Sequence, residues 1–180
     1  MLFDNASSSA NVNVPGLHHA AAIADFDGDG WEDIYVATKQ GPNRLFRNTG
    51  AMVFNEVAEP SGVNDNGNSN AALWADFNND GWPDLAVGNY LDANRLYLNN
   101  GNGTFTDATD DYNFGNEGPC RSLHAADYDG DGWIDVYVVN MNSHNAMYRN
   151  MAGQTFQNVT FPSGTIDTGI GMGCVFFDSD

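Results

Sequence analysis

Four kinds of short segment follow one another along the chain, each bounded by Gly, Pro, Asn or Asp. Residues 18–24, HHAAAIA, form a small apolar run, and such a run between turn residues reads as a buried strand. Residues 33–37, DIYVA, are rich in the β-branched and aromatic side chains that suit a pleated surface. Residues 43–48, NRLFRN, and 53–58, VFNEVA, alternate polar with apolar, which puts one face of a strand inside. KQGPN and NTGAM punctuate between them. No segment carries a sustained 3.6-residue period, so helices are not expected.

The same order of segments returns after 51 residues. Asp25, Asp76, Asp127 and Asp178 keep that step, as do Phe3, Phe54, Phe105 and Phe156, with no gap needed. Three full periods and 27 residues of a fourth fill the chain. Four-stranded units at about this spacing predict propeller blades. The expected fold is therefore all-β: a partial β-propeller of four-stranded antiparallel blades, placed at 18–58, 69–109 and 120–160. Residues 2–7 read as the outer strand of a preceding blade, and 171–180 as the start of a further one. The Ala-rich run before each acidic loop suits the crowded innermost strand. Neither end shows the polar cap that terminal repeats carry. A piece of a longer chain, about half of a seven-bladed ring, is expected. Ring closure by a homodimer is the alternative, and it would skip 24 residues of the period.

Charge changes the picture. The 180 residues include 24 acids and only six Lys plus Arg, a formal net charge of −18. So few cations cannot neutralise a phosphate backbone or an anionic membrane surface, so nucleic acid and membrane insertion are excluded as partners. No apolar run has spanning length, and the opening residues MLFDNASSSANV lack the basic and apolar regions of a signal peptide. Cys120 and Cys174 lie three residues out of repeat register, and a disulfide between them is not favoured. No C-x-x-C or His/Cys cluster has zinc spacing.

The acids are not spread as a solvating surface would be; 14 of the 24, 13 of them Asp, sit in three nine-residue stretches and the last residues. The stretches are DFDGDGWED from Asp25, DFNNDGWPD from Asp76 and DYDGDGWID from Asp127. Oxygen donors at positions 1, 3 and 5 with Gly at 6 are how a tight loop wraps a hard cation. Position 7 then offers only its backbone carbonyl, so Trp31, Trp82 and Trp133 keep their rings for packing between blades. An EF-hand would need Glu at position 12 between two helices; Val36, Val87 and Val138 stand there, in strands. Ligation closes instead at position 9, with Asp33, Asp84 and Asp135. The candidate ligands are Asp25, Asp27, Asp29 and Asp33; Asp76, Asn78, Asp80 and Asp84; and Asp127, Asp129, Asp131 and Asp135. Asp178 and Asp180 begin a fourth, incomplete loop. All-oxygen donors favour Ca²⁺ over zinc or copper, and the carboxylate number disfavours Mg²⁺. About three ions are expected, one per complete loop, structural in role, with dissociation constants of roughly 10⁻⁴–10⁻³ M. Asn78 leaves the second loop one charge short, so that loop is expected to bind more weakly.

The stretches ADFDGDGWEDIYVA, ADFNNDGWPDLAVG and ADYDGDGWIDVYVV resemble the FG-GAP/VCBS repeats of integrin-α-like seven-bladed propellers. NRLFRNTGAMVFNEVA and NRLYLNNGNGTFTDAT resemble the remainder of such a repeat. The resemblance implies calcium at the loop positions named above, an extracellular or cell-surface location, and adhesion or binding of a glycan or protein ligand. ATK, GNY and VNM replace the GAP tripeptide, which favours the broader VCBS type. The alternative is a fragment of a secreted propeller enzyme, such as a polysaccharide lyase. An enzyme needs acid and base residues that break the repeat symmetry and converge, and the sequence presents no such set. His18, His19, His124 and His144 form no constellation, and no catalytic residue is assigned. Asn43, Asn94, Asn145, Arg44 and Arg95 recur and read as structural.

Overall fold

The computed structural model describes residues 5–51, 53–115, 118–165 and 173–174. Three four-stranded antiparallel sheets follow one another along the chain. The first holds β1 (His18–Ala24), β2 (Asp33–Thr38), β3 (Arg44–Asn48) and β4 (Phe54–Glu56), followed by one helical turn, α1 (Ala58–Ser61). The second holds β5 (Ser69–Ala75), β6 (Asp84–Asn89), β7 (Arg95–Asn99) and β8 (Phe105–Asp107). The third holds β9 (Cys120–Ala126), β10 (Asp135–Asn140), β11 (Ala146–Asn150) and β12 (Phe156–Asn158). Each sheet is a simple meander in chain order.

The core lies between neighbouring sheets. Phe26, Tyr35 and Leu45 of the first pack with Leu85, Val87 and Phe105 of the second. Phe77 and Leu96 of the second pack with Val136, Tyr148 and Phe156 of the third. β1 packs beside β5, and β5 beside β9, so the strand before each acidic loop is the innermost one, as its small residues predict. The crowding is real: a side chain at Gly88 of β6 would collide with the Cys120 sulfur of β9. Asn43, Asn94 and Asn145 each turn the hairpin between second and third strands. Their Oδ1 atoms accept the backbone N–H of Thr38, Asn89 and Asn140, all at 2.8 Å.

Two features differ from the sequence reading. The fourth strands are three residues long, shorter than 53–58 suggests. Val57 N–H turns to bond the Leu45 carbonyl, and α1 begins at once and ends at Gly62 with φ 82°. Four residues cannot display a helical period. Each inner strand also carries a β-bulge. His18 pairs with Thr38 and Ala20 with Ala37, so His19 is left over. Asn70 is passed over in the same way in β5, and Arg121 in β9.

The expected strand at 2–7 begins in residues outside the described set, and its described part, 5–7, is not strand. The further blade at 171–180 lies outside that set except for Gly173 and Cys174, and Asp178 and Asp180 lie outside it. Both cysteines are free. His124 is satisfied within its strand region: Nε2 lies 3.0 Å from the Ser122 hydroxyl and accepts the Cys174 N–H at 3.2 Å. Among the described residues no helix is long and apolar enough to cross a membrane.

Candidate metal centres

Each acidic loop springs from the last pair of an inner hairpin: Ala24 opposite Asp33, Ala75 opposite Asp84, Ala126 opposite Asp135. The backbone inside the loop folds around the position-1 carboxylate. Asp25 accepts the N–H of Asp29 at 3.1 Å and of Gly30 at 2.8 Å. Asp76 does the same for Asp80 and Gly81, at 3.1 and 2.8 Å. Asp127 does so for Asp131 and Gly132, at 3.0 and 2.8 Å. Gly30, Gly81 and Gly132 sit at φ 88°, 90° and 88°, a left-handed turn that a side chain would strain. The position-5 carboxylate accepts the N–H of the position-7 Trp in all three loops, at 2.9–3.0 Å. These bonds turn one side of each carboxylate to the backbone and gather the carboxylates together. Oxygens of Asp25, Asp27 and Asp29 lie within 4.8 Å of one another, as do those of Asp127, Asp129 and Asp135. Like charges that close favour a cation between them, and an all-oxygen donor set on a tight loop fits calcium.

Position 9 also does a second job. Asp33, Asp84 and Asp135 are fully buried. One oxygen of each accepts the N–H of position 2, from Phe26, Phe77 and Tyr128. The other accepts the N–H that ends the third strand, from Asn48, Asn99 and Asn150. Burial pushes Asp33 up to about 6 and Asp84 up to about 7, and raises Asp135; the two backbone bonds pull the other way, and nearby loop carboxylates push up further. The chain of bonds then leaves the sheet. Asn99 Nδ2 donates to the Phe26 carbonyl of the preceding sheet, and Asn150 Nδ2 to the Phe77 carbonyl, both at 2.8 Å. One buried aspartate therefore ties an acidic loop to its own third strand, and through it to the neighbouring loop.

The structure adds residues that the sequence reading passed over. The Arg47 guanidinium pairs with Asp27 and, at 3.2 Å, with Asp29. Arg149 pairs with Asp129 at 2.6 Å and Asp131 at 2.9 Å. Leu98 holds the equivalent place in the second sheet, and there the Asn78 amide donates to the same position-5 oxygen, on Asp80, at 2.8 Å. A step of 102 residues between Arg47 and Arg149 was the available signal, hidden because Leu98 interrupts it.

The tryptophans act as wedges where a preceding sheet stands beside them. Trp82 lies against Gly101 of its own hairpin and Gly28 of the preceding loop; any side chain at Gly28 would strike the ring. Trp133 lies against Gly153, which itself sits beside the Asn78 backbone of the preceding loop. Trp31 covers Gly50 and is 51% exposed.

The FG-GAP-like repeat family model matches the chain three times, over residues 25–87, 76–138 and 127–180. Cartilage acidic protein 1 of Xenopus tropicalis is 30% identical over 157 residues, covering 83% of this chain and 24% of that protein. The Mus musculus protein of the same name is 34% identical over 125 residues, covering 65% and 19%. The Homo sapiens one is 29% identical over 148 residues, covering 76% and 22%. The match thus spans a quarter or less of each relative's length. With three family matches in register with three equivalent sheets and loops, the chain belongs to the FG-GAP-like repeat family.

Proposed function

We propose that this chain is a calcium-stabilised extracellular binding module, whose blades present a surface to a glycan or protein ligand and whose ions are structural. The observation that carries the reading is the threefold recurrence of one loop fold, with the same backbone N–H groups on the same aspartates, which gathers three carboxylates in the first loop and three in the third. Positions 1, 3, 5 and 9 would hold the ion, with the carbonyls of Trp31, Trp82 and Trp133 completing it. An ion there braces the inner hairpin and, through the position-9 aspartate, the contact with the next sheet. The first and third loops offer four carboxylates each, which leaves little open coordination for a substrate. The relatives' name supports the setting: it speaks of cartilage, and of an acidity that this chain shares at −18.

Thermal unfolding in calcium and in chelator tests the reading. An ion that binds only the folded state stabilises it by mass action, about 0.4–1.4 kcal/mol per site when calcium is about 1–10 times its dissociation constant. The melting temperature should rise with millimolar calcium and less with magnesium. An unchanged melting temperature would refute the calcium half of the reading.

A further inference from the structure

The three bulges lie at the opposite ends of the inner strands from the acidic loops, six residues away along each strand, about 20 Å. Bulges re-aim side chains. Here His19, Asn70 and Arg121 line a cavity of about 140 Å³, together with Lys39, Tyr90 and Met141. These are two positions of the repeat seen three times, at steps of 51. Other polar positions keep one residue in all three copies, as at Asp25, Asp76 and Asp127 or Asn43, Asn94 and Asn145. At this cavity every copy differs. It is the convergent, symmetry-breaking set that the sequence alone did not reveal.

Its charge is opposite to that of the chain. Arg44 pairs with Glu56, Arg95 with Asp107, and Arg47 and Arg149 with the loops. Lys39 and Arg121 have no ion pair among the described residues, and both face the one cavity. The only side-chain acceptor found for Arg121 among those residues is the Met141 sulfur at 3.9 Å, a weak one. Two carboxylates near this end of the strands are engaged elsewhere: Asp65 accepts from Gly67 and Asn89, and Asp92 from Asn68. Burial lowers the affinity of His19 for a proton, and the charges of Lys39 and Arg121 lower it further. Asn70 is buried and spends its Nδ2 on the Cys120 carbonyl at 2.8 Å, leaving its Oδ1 as an acceptor.

We propose that this cavity binds the carboxylate of a single acidic sugar residue, a hexuronate. The planar Arg121 fork suits a carboxylate, and Lys39 adds a point charge. Asn70 Oδ1 accepts from a ring hydroxyl, and Tyr90 offers an apolar face to the ring. Pockets for drug-sized ligands measure about 300–1,000 Å³, so a cavity of about 140 Å³ takes no more than one ring. The inference rests on the binding-module half of the function proposed above and not on its calcium half.

Calorimetry of the full chain with glucuronate, glucose, acetate and sulfate tests it, in calcium and in chelator. Glucuronate should saturate near a dissociation constant of roughly 1 mM, at least about tenfold tighter than acetate or sulfate, with no heat from glucose. Arg121→Met and Lys39→Met should each weaken glucuronate about tenfold or more and leave the calcium-dependent melting curve unchanged. Equal binding of acetate or sulfate would reduce the cavity to a bare anion site and overturn the proposal. Glucuronate heats unchanged in both variants, or absent throughout, would do the same. Glucuronate binding in a protein whose melting ignores calcium would leave this inference standing and sink the calcium reading alone.

Discussion

The charge around the second acidic loop differs from that around the first and third at two places twenty residues apart. Where the outer two have Asp27 with Arg47 and Asp129 with Arg149, the middle one has Asn78 with Leu98. Counted at the candidate ligand positions with the residue that leans on them, the outer loops carry four carboxylates and one guanidinium, the middle loop three carboxylates and no cation. The net charge is −3 in each case. The guanidinium and the Asn78 amide also bond the same position-5 oxygen. The charge deficit read from Asn78 alone is thus cancelled across the sheet. A cation site is set by its ligands together with the cations that already lean on them.

The heaviest test of equivalence is at position 9. Asp84→Ala leaves the N–H groups of Phe77 and Asn99 buried without acceptors, at about 1–3 kcal/mol each. Denaturant unfolding should show a loss of about 4 kcal/mol, and Asp33→Ala and Asp135→Ala should cost much the same. A second-loop variant costing under half of the others would break the equivalence.

Neighbours separate the loops more than ligands do. Trp82→Ala removes a ring held between two sheets and should cost about 3 kcal/mol, whereas Trp31→Ala, at a half-exposed ring, should cost about 1 kcal/mol. Equal losses would mean that the wedge contact contributes nothing.

Charge exchange acts on affinity and is smaller. Arg47→Leu and Asn78→Asp each add one net negative charge to a loop and should tighten calcium several-fold; Leu98→Arg added to Asn78→Asp should restore the original value. Calcium affinity of the double variant reads this compensation directly, and a double variant that stays at the Asn78→Asp value would remove the compensation argument.

The smallest effect is a pH slope in chelator. Asp33 and Asp84 have folded values of about 6 and 7, above the ordinary carboxylate value. Below about pH 4 they are protonated in both states, so their contribution is fully present. As pH rises the unfolded chain loses its protons first, and stability falls until the folded groups also ionise. Metal-free protein should therefore lose stability between about pH 4 and 7, with the second loop's share extending highest. Stability that climbs over that interval would contradict these buried aspartates.

Much of this was legible in the chain. The 51-residue step gave the three sheets, because each period repeats its turn residues and its alternation. The loops were legible because alternate aspartates with a glycine have few other uses. The rest depends on groups that meet only in the fold. Arg47 reaches Asp27 across a hairpin, and Leu98 interrupts its recurrence. The bulges at His19, Asn70 and Arg121 leave no mark on HHAAAIA, since an extra residue shows only against the partner strand. The position-9 aspartates read as ligands, and their second role, as acceptors for two backbone N–H groups, required the neighbouring strand to be in view.

Calcium titration of chelated protein by calorimetry tests the central claim most directly. Three sites of one affinity class are expected, with the middle loop indistinguishable from the outer two. Two sites, a distinctly weaker third, or no heat at all would contradict three equivalent calcium loops.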